Sequence, residues 1–210
     1  MRSITLVSII ALGAAANSSC SKASEDAAPA TAQPPAPQAA PAAPADKPAP
    51  STAAGGTSAG GLRWEAKQPF VSRTPKSSMR AAEYGLASDA QSELAVFYFG
   101  SDQGGTVEAN MSRWISQFKQ PDGSEAAAKR GERSVHGMSV STVEATGTYN
   151  GGMGAPGAPP PAAITEAMLL GAIAKGPQGS VFFKLVGPRA SVEAARTAFD
   201  QLIESLQAAN

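Results

Sequence analysis

Cys20 is the one thiol in the chain, and it stands where an apolar segment gives way to a long Ala/Pro tract. Ser18 and Ser19 are the small residues that a lipoprotein signal peptidase accepts ahead of its cysteine. A cut before Cys20 leaves it N-terminal and open to acylation. Asn17 departs from the aliphatic residue usual at that position. Ala14-Ala15-Ala16 offers a second cut, because it fits the A-x-A pattern of ordinary signal peptidase. That cut leaves Cys20 as a free thiol on a tail, exposed to oxidation outside the cytoplasm. Acylation of Cys20 is the reading taken, since a spacer follows directly and a free thiol has no evident use there.

The remaining residues with chemical potential are few. His136 is the only histidine. With no second histidine and no other cysteine, a transition-metal site has too few ligands. No Gly-x-Ser-x-Gly elbow supports a Ser-His-Asp reading of His136, which is expected to be an ordinary strand-edge residue. Gly100 to Gly105 (Gly-Ser-Asp-Gln-Gly-Gly) precedes a helix, where backbone amides can cradle an anion. It has neither the Lys-Ser/Thr of a P-loop nor the Gly-x-Gly-x-x-Gly spacing, so a tight connecting turn is expected. Asp122 to Glu125 carries oxygen ligands, but too few for a calcium loop. Trp114, Phe118, Phe183 and Phe199 are expected to be core rather than the lining of a ligand pocket. Arg80 and Arg113 are candidate surface anchors. No catalytic residue, cofactor or metal ion is implied, so the chain does not read as an enzyme.

Three segments position these residues. Residues 1–19 read as a signal peptide: Met1 and Arg2 form a short positive start, and Ile4 to Ala16 is uncharged and apolar. That stretch is shorter than the roughly 20 residues a spanning helix needs. Residues 20–61 are mostly Ala, Pro, Ser, Thr and Gly, without aromatics. Such a segment cannot bury enough apolar surface to offset its ordering entropy. It reads as a disordered linker, polyproline II over Ala27 to Pro50 and loose coil over Ser51 to Gly61, reaching of order 100 Å. It would lift a domain off a membrane.

Residues 62–210 have the length of one domain. The whole chain has 17 Lys and Arg against 17 Asp and Glu, which gives no net-charge case for nucleic acid. The apolar stripe over Thr106 to Gln120 predicts an amphipathic helix, and Ser191 to Gln207 predicts another with Ser191 as N-cap. Glu125 to Lys129 (Glu-Ala-Ala-Ala-Lys) predicts a short third helix within Ser124 to Lys129. Leu94 to Phe99 is apolar on both faces and predicts a central strand. Met168 to Ala174 and Val181 to Val186 predict a hairpin around Lys175 to Gly179. Met138 to Tyr149 predicts a long, partly exposed strand, with weaker strands at Met79 to Tyr84 and Arg63 to Ala66. The order predicts an α+β domain, an antiparallel sheet flanked by helices. Tyr149 to Ala163 is a Gly/Pro loop long enough to be either functional or floppy.

Ser78-Met79-Arg80 before a strand, Val96 to Gly100 (Val-Phe-Tyr-Phe-Gly), and Gly104-Gly105 leading into Glu108 to Phe118 together resemble a group of uncharacterised bacterial envelope lipoproteins. Phe182 to Pro188 (Phe-Phe-Lys-Leu-Val-Gly-Pro) continues the resemblance, which covers most of Leu62 to Gln207. The element order is similar to the PsbP-like fold, a sandwich of antiparallel sheet and helices. The resemblance implies an adaptor or binding role and supplies no catalytic residues; fold alone does not imply function. The expected function is that of a lipid-anchored, non-catalytic domain that binds another envelope component. A small-ligand carrier with a pocket between sheet and helices is the alternative. Ser21 rather than Asp after the cysteine points to the outer membrane, facing the periplasm. The expected partners are that membrane and an envelope protein, with no nucleic acid.

Overall fold

The computed structural model describes residues 52–53, 56–151 and 162–209. Cys20, the signal peptide and the linker up to residue 51 lie outside them, as does most of the Gly/Pro loop. All described elements belong to one unit, Ala45–Asn210.

Eight strands form the main antiparallel sheet. They are β4 (Phe70–Arg73), β5 (Arg80–Leu86), β6 (Asp89–Tyr98), β7 (Phe118–Lys119), β8 (Ala127–Val135), β9 (Met138–Tyr149), β10 (Ile164–Gly176) and β11 (Gly179–Pro188). Their order is β4-β5-β6-β11-β10-β9, and β7 and β8 both pair with the outer edge of β9. The predicted hairpin is β10–β11, turning at Pro177 and Gln178. The predicted central strand is β6, held between β5 and β11. A second, four-stranded sheet runs β1 (Thr52–Ala53), β2 (Gly56–Ala59), β3 (Leu62–Trp64) and β12 (Gln207–Ala208).

Three helices cover parts of the main sheet: α1 (Val107–Ser116), α2 (Arg189–Ala194) and α3 (Arg196–Glu204). Along the inner strands, successive side chains alternate between two apolar clusters, as a two-sided sheet requires. On one face Leu94, Leu170, Phe183 and Leu185 pack with Trp64, Phe199, Leu202 and Ile203. On the other, Leu169, Ile173 and Phe182 pack with Met111, Trp114 and Phe118. Trp64 meets Phe183 edge-on with ring centroids 5.2 Å apart, a favoured aromatic geometry. The fold is therefore sheet-dominated, with less helical flanking than expected.

Four expectations are corrected. Glu125 to Lys129 does not form a helix; from Ala127 it is strand, paired with β9 from Ala127↔Thr146 to Val135↔Met138. A ladder of that length outweighs the helix preference of an alanine run. The Ser191 to Gln207 helix starts earlier, at Arg189 after Pro188, and is divided at Ala195. Ser191 is not its cap, and its side chain hydrogen-bonds Asp89. The Thr106 to Gln120 helix stops at Ser116, because Phe118 turns into the core as strand β7. Finally, Ser51 to Gly61 is not loose coil throughout. Gly60 and Gly61 have φ of 62° and 72° and join β2 to β3 with Ala59 opposite Leu62. Two consecutive positive φ angles are what a tight two-residue hairpin demands, and glycine supplies them without strain.

Candidate functional site

The sequence candidates disperse when the chain folds. His136 and Gly137 form the turn between β8 and β9, with φ of 47° and 80°, and His136 Nδ1 lies 2.8 Å from the Leu206 carbonyl oxygen. The Gly100 to Gly105 turn is tied to its surroundings: Asn110 Nδ2 donates to Gly104 O at 2.7 Å, and Ser101 Oγ donates to Gln178 O at 2.9 Å. Thr106 Oγ1 accepts from Ala109 N at 3.1 Å, capping α1. Asp122 Oδ1 accepts the Ser124 amide at 2.9 Å, an ordinary Asx turn. Trp114, Phe118, Phe183 and Phe199 are all buried in the two clusters. Among the described residues no group of three His, Cys, Asp or Glu side chains is placed to hold a metal ion.

Arg80 is not a surface anchor. Its Nη1 bridges Glu83 Oε2 at 2.7 Å and Glu93 Oε1 at 2.6 Å, and its guanidinium lies 5.7 Å from the centre of the Phe97 ring. Glu83 has a side-chain exposure of 0%, which a carboxylate tolerates only when paired. Its Oε2 also accepts the Lys76 amide at 2.9 Å, while Oε1 makes no hydrogen bond and lies 3.5 Å from Lys76 Nζ. Burial pushes the Glu93 carboxyl up, but the Lys76 ammonium and the Arg80 guanidinium outweigh it and hold the group below the usual range.

This network lies on the same sheet face as Phe97, the face that packs against α1. Lys184 of β11 stands beside it, paired across to Ala95 on β6 and to Gly171 on β10. Lys184 Nζ donates to Gln117 Oε1 at 2.5 Å and lies 3.5 Å from Tyr149 Oη. Desolvation, with smaller contributions from Arg80 and Arg113, brings the ammonium down to about 8, against an opposing pull from Glu93. Sequence reasoning missed Lys184. Its signal was a lone charge inside the apolar run Val181 to Val186.

The opposite face carries an open groove of about 270 Å³ between the β8–β9–β10 surface and α3. Lys129, Arg133 and Glu144 line it from the strands, and Arg196, Phe199 and Asp200 from the helix. Arg133 Nη2 pairs with Asp200 at 3.2 Å, and Arg196 Nη1 with Glu144 at 3.0 Å. The Arg133 Nε is buried without a hydrogen-bond partner among the described residues, and Lys129 joins no ion pair there. Sequence reasoning missed the groove because it placed Lys129 on a helix.

These elements define an antiparallel α+β domain with one broad sheet and one small one. No protein-family model matches the chain, and no curated protein is similar to it. Among solved structures it is similar to cyanobacterial PsbP (CyanoP) from Synechocystis sp. PCC 6803. The TM-score is 0.46 at 12% identity, covering 71% of this chain and 87% of that chain. A PsbP-like protein is thus a structural neighbour, and nothing about sites or partners follows from a likeness at that level.

Proposed function

We propose that this chain is an envelope lipoprotein, held at a membrane by acyl chains on Cys20, whose domain binds another envelope component without catalysing a reaction. The mature chain would sit on the outer membrane facing the periplasm, with the Ala/Pro-rich tract as its spacer. The observation that carries the binding role is the groove at α3. It is open, and its lining carries four cations, Lys129, Arg130, Arg133 and Arg196, against three anions, Glu132, Glu144 and Asp200. An acidic segment of a partner protein supplies a counter-charge for Lys129, which joins no ion pair among the described residues.

The ligand-carrier alternative needs a hollow between sheet and helices. The groove between β8–β9–β10 and α3 is such a hollow, but its lining is rich in charged side chains (Lys129, Arg130, Glu132, Arg133, Glu144, Arg196 and Asp200), which favours docking of a polar partner over carriage of an apolar ligand.

Site-specific photo-crosslinking in intact cells tests the binding role. A photoreactive residue at Lys129 is expected to give a discrete adduct that Arg133→Ala and Arg196→Ala diminish. The same residue at exposed Asp102, in the turn before α1, is expected to give none. Equal adducts from both positions, or none from Lys129, would overturn the proposal.

A further inference from the structure

Lys184 projects from the middle of β11 on the α1 face, between Ala95 and Gly171. None of the ion pairs among the described residues includes Lys184. The groups its ammonium touches are neutral: the Gln117 carboxamide at 2.5 Å, the Tyr149 hydroxyl at 3.5 Å and the Tyr149 ring, 5.2 Å to its centre, while Glu93 acts on it without forming an ion pair. Neutral oxygens compensate a partly buried ammonium less well than a carboxylate does.

Arg113 lies four residues before Gln117 on α1, so both occupy one flank of that helix. Since Gln117 touches Lys184, this flank looks onto β11. The Arg113 side chain is hydrogen-bonded to Asn110 Oδ1, and it too joins none of those ion pairs. Asn110 is itself fixed by Gly104 O and Thr106 O, at 2.7 and 2.9 Å, so it holds the guanidinium in place. The carboxylates nearest this spot are already committed. Glu93 is engaged by Lys76 and Arg80, and Glu83 by Arg80 and the Lys76 amide.

We propose that Lys184 and Arg113, with the Gln117 carboxamide between them, form a binding site for a phosphate group. Two cations outside the ion pairs of the described residues suit a ligand with up to two negative charges and at least three acceptor oxygens. A carboxylate, with one charge and two oxygens, leaves one of them unmatched. The groups facing Lys184 are Arg113 and Gln117 from α1, Glu93 and Arg80 from β6 and β5, and Tyr149 from β9. Of these only Glu93 is a carboxylate, and its pairing with two cations keeps it from competing with the ligand. Binding keeps Lys184 protonated, so affinity is expected to fall as pH rises past the point where its free ammonium loses the proton. The phosphate could be a free anion or the headgroup of an anionic lipid.

The test is lysine labelling of the full chain in non-ionic detergent, read for each lysine by peptide mass spectrometry. The probes are inorganic phosphate, chloride at matched ionic strength, and phosphatidylcholine vesicles with and without phosphatidic acid. Phosphate is expected to slow labelling of Lys184 saturably and leave Lys129 unchanged. Arg113→Gln should weaken that protection about tenfold or more, read as the ratio of rates with and without phosphate in each protein, because losing Arg113 also slows the Lys184 rate in phosphate-free buffer by letting the ammonium keep its proton. Arg113 is solvent-exposed, so this variant should keep the fold, which near-ultraviolet circular dichroism checks. Protection by free phosphate assigns a soluble ligand; protection only by phosphatidic acid vesicles assigns a headgroup. Protection by neither, by chloride equally, or in undiminished form in Arg113→Gln overturns the proposal.

Discussion

Lys184 Nζ donates to Gln117 Oε1 at 2.5 Å, joining the middle of β11 to the residue that ends α1. A strand whose same-face neighbours are Phe182 and Val186, at 1% and 7% exposure, would gain more from an apolar residue at 184. The ammonium therefore imposes a cost on the fold, and that cost has a pH signature.

Lys184→Met is expected to stabilise the domain in phosphate-free buffer, and more at neutral than at alkaline pH. The folded-state ammonium lies at about 8 against the usual 10.5. Below pH 8 the folded protein holds a charge that the unfolded chain keeps in water, so the full destabilisation is present. It fades as pH rises from about 8 to 10.5, because the folded state has already lost its proton. The limit corresponds to about 3 kcal/mol. Urea unfolding of both proteins at pH 7, 9 and 10.5 measures the gap. A gap that stays constant across this range removes the desolvation account.

Glu83→Ala should be far more costly than Glu83→Gln. The Glu83 carboxylate is fully buried and takes hydrogen bonds from Arg80 Nη1 and the Lys76 amide. Removing it strands the Arg80 guanidinium beside Phe97 with Glu93 as its remaining partner, and losing one member of a buried pair costs about 3–5 kcal/mol. Glutamine keeps the shape and one acceptor, so about 1–2 kcal/mol is expected. Denaturant midpoints at constant m-value read the difference, and equal losses would show that the charge is immaterial there.

Gly171→Ala tests how tightly α1 is seated. A Cβ on Gly171 would lie 2.8 Å from Trp114 Cζ3 and 2.8 Å from Val143 Cγ1, closer than carbon atoms approach. Either the indole shifts or β9 does, at about 1–3 kcal/mol. In a Trp64→Phe background Trp114 is the sole tryptophan, and its emission should shift to the red. Unchanged emission and stability would mean that the sheet face under α1 is loosely packed.

Long periodic segments were legible from sequence, and short ones whose state depends on partners were not. The 12-residue strand β9 and the β10–β11 hairpin follow from Thr/Val enrichment and the Gly-Pro-Gln-Gly turn. The alanine run before Lys129 has local preferences that favour a helix, and only the β9 ladder makes it a strand. That error hid the groove, since a helix ending at Lys129 separates it from the strand that carries Arg133, and only β8 places both beside β9. The Gly60-Gly61 turn was present as a signal, but the Gly/Ser composition around it suggested a linker. Lys184 was passed over because a charge within an apolar run has no meaning until its neighbours across the sheet are known.

Cys20→Ala addresses the anchor rather than the domain. The wild-type chain is expected in the membrane fraction, carrying an acyl mass at Cys20 when its intact mass is measured. Several acyl chains are needed for stable attachment, at about 0.8 kcal/mol per buried methylene. The alanine variant has no sulfur to acylate and should be released to the soluble periplasmic fraction with the domain still folded. The other cut, after Ala16, gives a different result: a water-soluble wild type beginning at Asn17, with no acyl mass and no response to Cys20→Ala. Asn17 in the peptidase recognition segment makes that outcome a real competitor, and one mass spectrum of the membrane-extracted protein separates the two. Were the second result found, the anchor would be lost, while the groove at α3 and the Lys184–Arg113 pair, which rest on the folded domain alone, would stand unchanged.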